Sequence, residues 1–186
     1  PVADLVIRKL KNRLETLIIG DPLDKNTDIG AINSKDQLNK IKRLVKMGTD
    51  EGGTCYQSNC AVPSKGFWFR PTLFTDVSQS SRIVQEEIFG PILLLREEAS
   101  LETALAWVVS QPAPLAIYLF GADSKEEALI SAIAKGSALI AGRTVEFAGF
   151  QALGFGGSGD SGFGRRNGRA GFMEFSHHGG KYMRIF

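Results

Sequence analysis

Apolar residues recur at spacings of three and four along the first part of the chain, which is typical of amphipathic helices. Residues 2–17 place leucine and valine on one face and charged side chains on the other. The Gly-Asp-Pro sequence at 20–22 is expected to end this helix, because Gly suits a C-cap and Pro cannot continue a helix. Ser34 is a suitable N-cap for a second helix, which should end before Gly52.

Further along, short apolar runs alternate with helical patterns. The apolar runs cover residues 92–95, 115–120 and 137–141, and the helical patterns cover 100–110 and 124–135. Strands that are apolar throughout are typical of a parallel sheet with helices on its faces. Residues 67–69 and 72–74 are brief strand candidates on either side of Pro71. The pattern predicts an α/β fold with an open, mainly parallel sheet and helices on both faces.

Composition indicates one soluble domain over residues 1–186, since 43% of the residues are hydrophobic and 23% are charged. A net charge of +2 is too small to favour a nucleic-acid partner. No apolar run approaches the ~20 residues that span a bilayer, so no membrane span is expected. The two cysteines exclude a disulfide-rich secreted scaffold and favour a reducing compartment, the cytoplasm.

Glycines are concentrated near the C-terminal end of the chain. Residues 154–159 match G-x-G-x-x-G, which lets a backbone approach a pyrophosphate, but the match does not follow a strand directly. A glycine-rich loop packed against other backbone is the alternative interpretation. The basic cluster that follows it suits a solvated face, an ion pair or an anionic ligand, and it consists of Arg165, Arg166 and Arg169.

Two further patterns could carry nucleophilic or metal chemistry. The Gly-Asp-Ser-Gly sequence around Ser161 is similar to a protease nucleophile segment, but both histidines, His177 and His178, follow it in the chain. A Ser-His pair in another order stays an alternative. Cys55 and Cys60 could form a disulfide or half of a metal site, although zinc needs four ligands; two ordinary thiols are the other interpretation.

The sequence Glu-Glu-Ile-Phe-Gly-Pro at 86–91 places two carboxylates and an aromatic ring on a loop before a buried strand. A carboxylate there could accept two hydrogen bonds from a diol such as a ribose, and Phe89 could pack on a flat heterocycle. A surface turn with a buried Phe is the alternative. Gln37 and Lys40 lie about one turn apart and share a face of the second helix.

This hexapeptide resembles a motif of the aldehyde dehydrogenase superfamily. The resemblance extends over nearly the whole chain. The similar segments, in order, are Gly20-Asp-Pro-Leu-Asp24, Thr27-Asp-Ile-Gly30, Phe69-x-Pro-Thr-Leu-Phe-Thr-Asp-Val77, Gln85-Glu-Glu-Ile-Phe-Gly-Pro91, Pro114-Leu-Ala-Ile-Tyr-Leu-Phe120, Phe155-Gly-Gly157 and Ser161-Gly-Phe-Gly164. Some of these segments resemble classes 1 and 2 of the superfamily and others resemble class 3.

The resemblance implies oxidation of an aldehyde to a carboxylic acid with NAD or NADP, through a cysteine thiohemiacetal, hydride transfer and hydrolysis of a thioester. It implies that Glu87 holds the nicotinamide ribose and that Phe89 contacts the nicotinamide. Gln37 and Lys40 match family positions near a cofactor ribose. Phe155 and Gly156 would belong to a loop on the substrate side.

The same resemblance leaves no catalytic residue in this chain. The nucleophilic cysteine of the family lies upstream of the first helix, and neither Cys55 nor Cys60 matches it. The chain is therefore expected to be a catalytic-domain portion that needs the remainder of its parent polypeptide and is inactive alone. Residues 176–186 match a strand that joins subunits, which implies a homo-oligomer. A non-catalytic assembly module related to the family is the alternative.

Overall fold

The computed structural model describes residues 2–133, 138–141 and 154–176. The chain divides into two compact units, Pro1–Glu97 and Glu98–Phe186. The helices are α1 (Ala3–Glu15), α2 (Lys35–Asp50), α3 (Arg82–Gln85), α4 (Leu101–Ser110), α5 (Ser124–Ile133) and α6 (Gly168–Glu174). The strands are β1 (Thr54–Gln57), β2 (Thr72–Thr75), β3 (Ile92–Leu94), β4 (Ala116–Leu119) and β5 (Ala138–Ala141). The prediction of an α/β fold with open sheets and mainly parallel pairing is confirmed.

The sheet of the first unit has β2 at its centre. Strand β1 pairs with β2 antiparallel, and β3 pairs with β2 parallel. Leu73 and Phe74 of β2 are fully buried. The backbone N–H of Thr72 donates to the carbonyl of Pro91 at 3.0 Å, so the pairing begins directly where the 86–91 loop ends. The sheet therefore holds one end of that loop.

Helix α2 covers this core. Ile41 and Leu44 are fully buried and cluster with Phe74 and with Ile83 of α3. Glycine at position 48 permits the close approach, because a Cβ there would lie 2.9 Å from Ile83 Cδ1. The Ser34 hydroxyl accepts a hydrogen bond from the Gln37 N–H at 3.1 Å and caps the helix as predicted. Helix α2 thus packs directly against α3, which leads into the 86–91 loop.

Helix α1 forms as predicted but ends at Glu15, before the predicted stop at residues 20–22. Thr16 caps it by donating its hydroxyl to the Arg13 carbonyl at 2.9 Å. The next residues pair instead with 28–29, since the Asp28 carboxylate accepts from the Ile18 N–H at 2.9 Å. The backbone of residues 18–20 is therefore engaged by 28–29 before Pro22 could break the helix.

In the second unit, β4 and β5 are parallel neighbours, and α5 lies between them in the chain. The register pairs Ala116 with Ala138 and Leu119 with Ala141. Ser100 caps α4 through a reciprocal capping box with Thr103. The predicted alternation of strands and helices is confirmed here.

Other elements differ from the sequence-based expectations. Residues 67–69 form no strand, because pairing begins only at Thr72 and the Trp68 side chain donates to the Lys65 carbonyl in a turn. Strand β1 and helices α3 and α6 carry too little periodicity to have been predicted. The predicted strand over 176–186 lies outside the described residues after Ser176. None of the described helices is both long and apolar enough to cross a bilayer.

Candidate functional site

The 86–91 loop presents alternate side chains to solvent. Ile88 is 9% exposed and packs in the core of the first unit, whereas its neighbour Phe89 is 71% exposed. Glu87 is also exposed. Phe89 has a φ of 51°, a left-handed conformation that is uncommon for a residue with a side chain. The buried isoleucine thus anchors a turn that displays a carboxylate and an aromatic ring, so the alternative of a buried Phe is wrong.

The two adjacent carboxylates of this loop are in different states. Glu86 accepts from Arg82 Nη2 at 2.8 Å and from Nε at 3.2 Å, and the Arg43 guanidinium lies 3.8 Å away. The hydrogen bond from Arg82, followed by the charges of Arg82, Arg43 and Lys40, lowers the pKa of Glu86. The Glu87 carboxylate has no hydrogen bond or ion pair within the part of the chain that the structure describes. Glu87 is therefore the carboxylate available to a ligand.

Helix α2 holds the backbone of the same turn. The Gln37 side-chain amide donates to the carbonyls of Ile88 at 2.7 Å and Phe89 at 3.1 Å. Lys40 Nζ donates to the Glu87 carbonyl at 3.0 Å. Consecutive carbonyls of the loop are thus bonded to side chains from one face of α2.

The C-terminal end of α2 contacts the start of α3. The Glu51 carboxylate accepts from the Ser81 hydroxyl and from the Arg82 N–H, the latter at 3.0 Å. This acceptor satisfies a backbone donor at the beginning of α3. Helix α2 and its C-cap residue Glu51 therefore bond both the start of α3 and the loop that follows it.

In the second unit, the glycine-rich loop borders a cleft of about 430 Å³. Phe155 pairs with Arg166 through reciprocal backbone hydrogen bonds of 2.8 Å. The cleft is lined mainly by apolar side chains and by loop backbone, including Leu115, Phe155, Gly156, Phe163 and Phe175. Phe155 and Gly156, which were predicted to lie in a substrate-side loop, thus lie at an open apolar cleft.

The glycines of this loop allow its backbone to pack closely against other parts of the same loop. A Cβ at position 156 would lie 2.1 Å from the Gly164 carbonyl oxygen. Arg165 Nη1 donates to the carbonyls of Gly157 at 2.7 Å and Gly164 at 3.0 Å. The G-x-G-x-x-G match leads into a single 3₁₀ turn, Gly159–Ser161, which offers little of the helix N-terminus that a phosphate uses. This geometry favours the packed-loop interpretation over a phosphate cradle.

The structure does not bring the arginine cluster together at one site. Arg166 lies 5.6 Å from the centre of the Phe155 ring, and Arg169 is exposed, so the arginines do not converge on one site. The Ser161 hydroxyl donates to the Ala113 carbonyl at 3.3 Å. His177 and His178 lie outside the described residues.

Both cysteines are free thiols. Burial raises the pKa of Cys55, and a hydrogen bond with Thr49 opposes that rise. Cys60 Sγ lies 3.0 Å from the Ser58 hydroxyl. Among the described residues, no group of histidine, cysteine or acidic side chains could hold a metal ion. The prediction of two ordinary thiols fits this geometry.

Comparison with known proteins identifies the family. The model of the aldehyde dehydrogenase family matches residues 1–178. The chain belongs to the aldehyde dehydrogenase family. A betaine aldehyde dehydrogenase of Sinorhizobium fredii is 31% identical over 170 residues, which are 89% of this chain and 34% of the relative. The dimeric NADP-preferring aldehyde dehydrogenase of Bos taurus is 31% identical over 178 residues, 92% of this chain and 69% of the relative.

Solved structures of the family show the same fold. The NAD+ complex of aldehyde dehydrogenase from Bacillus cereus superposes with a TM-score of 0.78 at 27% identity, covering 91% of this chain and 34% of that one. The family thus includes NAD+- and NADP-dependent members. The chain spans about a third of the length of the first curated relatives that it matches.

Within this aldehyde dehydrogenase chain, the structure brings Gln37, Lys40, Glu87 and Phe89 together at one loop. Sequence reasoning missed Arg82, whose ion pair with Glu86 distinguishes the two carboxylates. The spacing of four residues between Arg82 and Glu86 was the available signal, because such pairs meet on a helical turn.

Proposed function

We propose that this chain forms the nicotinamide-side part of the cofactor site in an NAD(P)+-dependent aldehyde dehydrogenase, which oxidises an aldehyde to a carboxylic acid. The observation that carries this proposal is the family match over residues 1–178. NAD(P)+ supplies the hydride acceptor of such a reaction. The contribution of this chain is to bind and orient the nicotinamide riboside half of the cofactor.

Glu87 and Phe89 are the proposed contacts with that half. An ionised carboxylate accepts hydrogen bonds through both oxygens, so Glu87 suits the two neighbouring hydroxyls of a ribose. The exposed ring of Phe89 offers a flat apolar surface against which a nicotinamide can pack. The exposure of both side chains and the free carboxylate of Glu87 support these roles.

The nucleophile and the dinucleotide-binding domain are proposed to come from family sequence outside this chain. Since the raised pKa of Cys55 reduces its thiolate fraction at neutral pH, this thiol is poorly suited to attack an aldehyde. The chain also covers only 34% of the first listed betaine aldehyde dehydrogenase. We therefore propose that the chain alone is inactive and needs the remainder of a parent polypeptide.

The cleft beside Phe155 and Gly156 is proposed to contribute to the aldehyde side. Its apolar lining suits the carbon chain of an aldehyde better than a charged group. Assembly as a homo-oligomer is supported by the bovine relative, which is described as dimeric. The two free thiols support a reducing compartment, the cytoplasm.

A first experiment tests whether the chain alone is inactive. The purified 186-residue chain, incubated with NAD+ or NADP+ and a panel of aldehydes, is expected to form no NAD(P)H by absorbance. A double variant with Cys55→Ser and Cys60→Ser is the matched control. Aldehyde-dependent NAD(P)H formation that the double variant abolishes would show that the chain carries its own nucleophile.

A second experiment tests the site. Nicotinamide mononucleotide is titrated into the chain and followed by saturation-transfer NMR, with nicotinamide, which lacks the ribose, as the comparison ligand. Glu87→Gln should weaken binding of the mononucleotide about tenfold, because the charge-assisted hydrogen bonds are lost. Glu86→Gln, at the neighbouring position, should have a smaller effect. Equal affinities of the wild-type chain and Glu87→Gln for the mononucleotide would show that Glu87 does not bind it.

A further inference from the structure

We infer that Arg82 is a positioning residue, which keeps Glu87 in its ligand-binding place by binding the neighbouring carboxylate of Glu86, and that Arg43 is the second arginine of this contact. This inference rests on the proposed function, since it assigns how the ribose-binding carboxylate of that site is held.

The ion pair between Arg82 and Glu86 spans the whole of helix α3. Arg82 is the first residue of this four-residue helix, and Glu86 is its C-cap. The guanidinium donates to Glu86 Oε1 from Nη2 at 2.8 Å and from Nε at 3.2 Å, and the Glu86 N–H donates to the Arg82 carbonyl at 3.0 Å. Since a helix of one turn is marginal on its own, these contacts between its two ends stabilise the point at which the chain leaves it.

The Arg82 end of this contact is itself fixed. The Arg82 N–H donates to the Glu51 carboxylate at 3.0 Å, and the same carboxylate accepts from the Ser81 hydroxyl. Ser81 is buried, and Ile83, the residue after Arg82, is fully buried in the core of the first unit. The backbone of Arg82 is therefore held in place while its guanidinium binds Glu86.

Arg43 of α2 adds a second cation at the other oxygen of Glu86. Its Nη2 lies 3.8 Å from Glu86 Oε2, whereas Arg82 binds Oε1. The hydrogen bond from Arg82 and the charges of both arginines lower the pKa of Glu86, so this carboxyl is ionised at neutral pH. Guanidinium groups from two different helices thus hold one carboxylate between them.

Glu87 lies between this held residue and a second one. Ile88 is 9% exposed and packs in the core of the first unit, so the backbone is fixed on both sides of Glu87. The Glu87 side chain itself is exposed. If Glu86 were released, the backbone on one side of Glu87 would gain freedom. A ligand would then have to order it, and the entropy lost on binding would increase.

The test uses variants of the two arginines in the full chain. Arg82→Gln and Arg43→Gln each remove a charge, whereas Arg82→Lys keeps a cation within reach of Glu86. Arg8→Gln and Lys42→Gln are matched controls, because both residues are exposed and no ion pair of either is found among the described residues. Circular dichroism checks that each variant is folded.

Two readouts are taken on each variant. The first is the heteronuclear NOE of the Glu87 amide without ligand, which reports backbone motion on the picosecond to nanosecond timescale. The second is the affinity for nicotinamide mononucleotide and for nicotinamide riboside, which has the same ribose but no phosphate. Arg82→Gln should lower the NOE and weaken binding of both ligands about threefold, and Arg43→Gln should have a smaller effect on both readouts. Arg82→Lys should restore both readouts, and the controls should change neither.

The outcomes separate the two proposals. Weaker binding of the mononucleotide alone would mean that Arg82 attracts the phosphate, which overturns the positioning role and leaves the site intact. An unchanged NOE of Glu87 in Arg82→Gln would also overturn it, as would a lower NOE with unchanged affinities. If the wild-type chain binds neither ligand, the proposed site fails, and the NOE of Arg82→Gln by itself then decides whether Arg82 holds Glu87.

Discussion

Glu86 and Glu87 are adjacent glutamates in different electrostatic surroundings. Arg82 and Arg43 neutralise Glu86, and its pKa is lowered as a result. Glu87, one residue further, keeps its carboxylate exposed and without an ion pair among the described residues. The two arginines thus pair with Glu86 and leave the Glu87 carboxylate to the proposed ligand.

The lowered pKa of Glu86 predicts a pH-dependent contribution to stability. A carboxyl group with a lower pKa in the folded state stabilises the fold above its unfolded pKa, near 4.5, and this contribution is lost as the pH falls through the folded pKa. Glu86→Gln should therefore lower the urea midpoint at neutral pH, and the difference from wild type should vanish in acid.

Added salt should also reduce the difference, because the pair is exposed. Glu127→Gln is the matched control, since no ion pair of Glu127 is found among the described residues. A difference between wild type and Glu86→Gln that persists in acid would mean that packing, and not the ion pair, is responsible.

At the scale of elements, helix α2 connects the core to the proposed site. Its apolar face, with Ile41 and Leu44, packs into the first unit, and its polar face bonds the 86–91 loop through Gln37 and Lys40. A helix that is shortened at its N-terminal end would lose the turn that carries Gln37. The N-cap of α2 is therefore expected to affect both stability and the proposed ligand binding.

Ser34→Ala tests this connection. Loss of the N-cap acceptor should destabilise the chain by about 1 kcal/mol and should weaken binding of nicotinamide mononucleotide as well. Urea denaturation and the NMR titration measure the two effects. Ser64→Ala, at an exposed serine in a loop, is the matched control and should change neither. A destabilised Ser34→Ala variant with unchanged affinity would show that the cap and the site are independent.

Elements with strong local signals were predictable from the sequence. Helix α2 has a capping serine and a clear apolar period, and β3, β4 and β5 are apolar runs. Strand β1 was not predictable because its four residues, Thr-Cys-Tyr-Gln, are mostly exposed and form a strand only by pairing with β2. The loop residues of the site were predictable as chemical types. The difference between Glu86 and Glu87 depends on Arg82, which the spacing of four residues could have indicated, and on Arg43, which only the fold brings near.

At the scale of the whole molecule, helix α1 departs from the usual pattern of a buried apolar face. No described residue of α1 is buried, and Leu5 and Val6 are 42% and 38% exposed. An amphipathic helix with an exposed apolar face is a common site of association.

Self-association through α1 is the prediction at this scale. Light scattering should give a mass above 20.2 kDa at high concentration. Leu5→Lys should reduce that mass by placing a charge on the apolar face. Asn12→Lys adds the same charge at an exposed polar position of α1 and should leave the mass unchanged. A mass of one chain at every concentration would contradict the prediction.

Gln37 in the first turn of α2 and Glu51, its C-cap, fix the spacing between two parts of the segment 81–91. At a rise of 1.5 Å per residue these two residues lie about 20 Å apart. Gln37 bonds residues 88 and 89, and Glu51 bonds residues 81 and 82 of the same chain. Insertion of a single residue into α2 would rotate one attachment by about 100° relative to the other. Related sequences are therefore expected to accept substitutions at the exposed positions of α2, but insertions or deletions only outside residues 37–51.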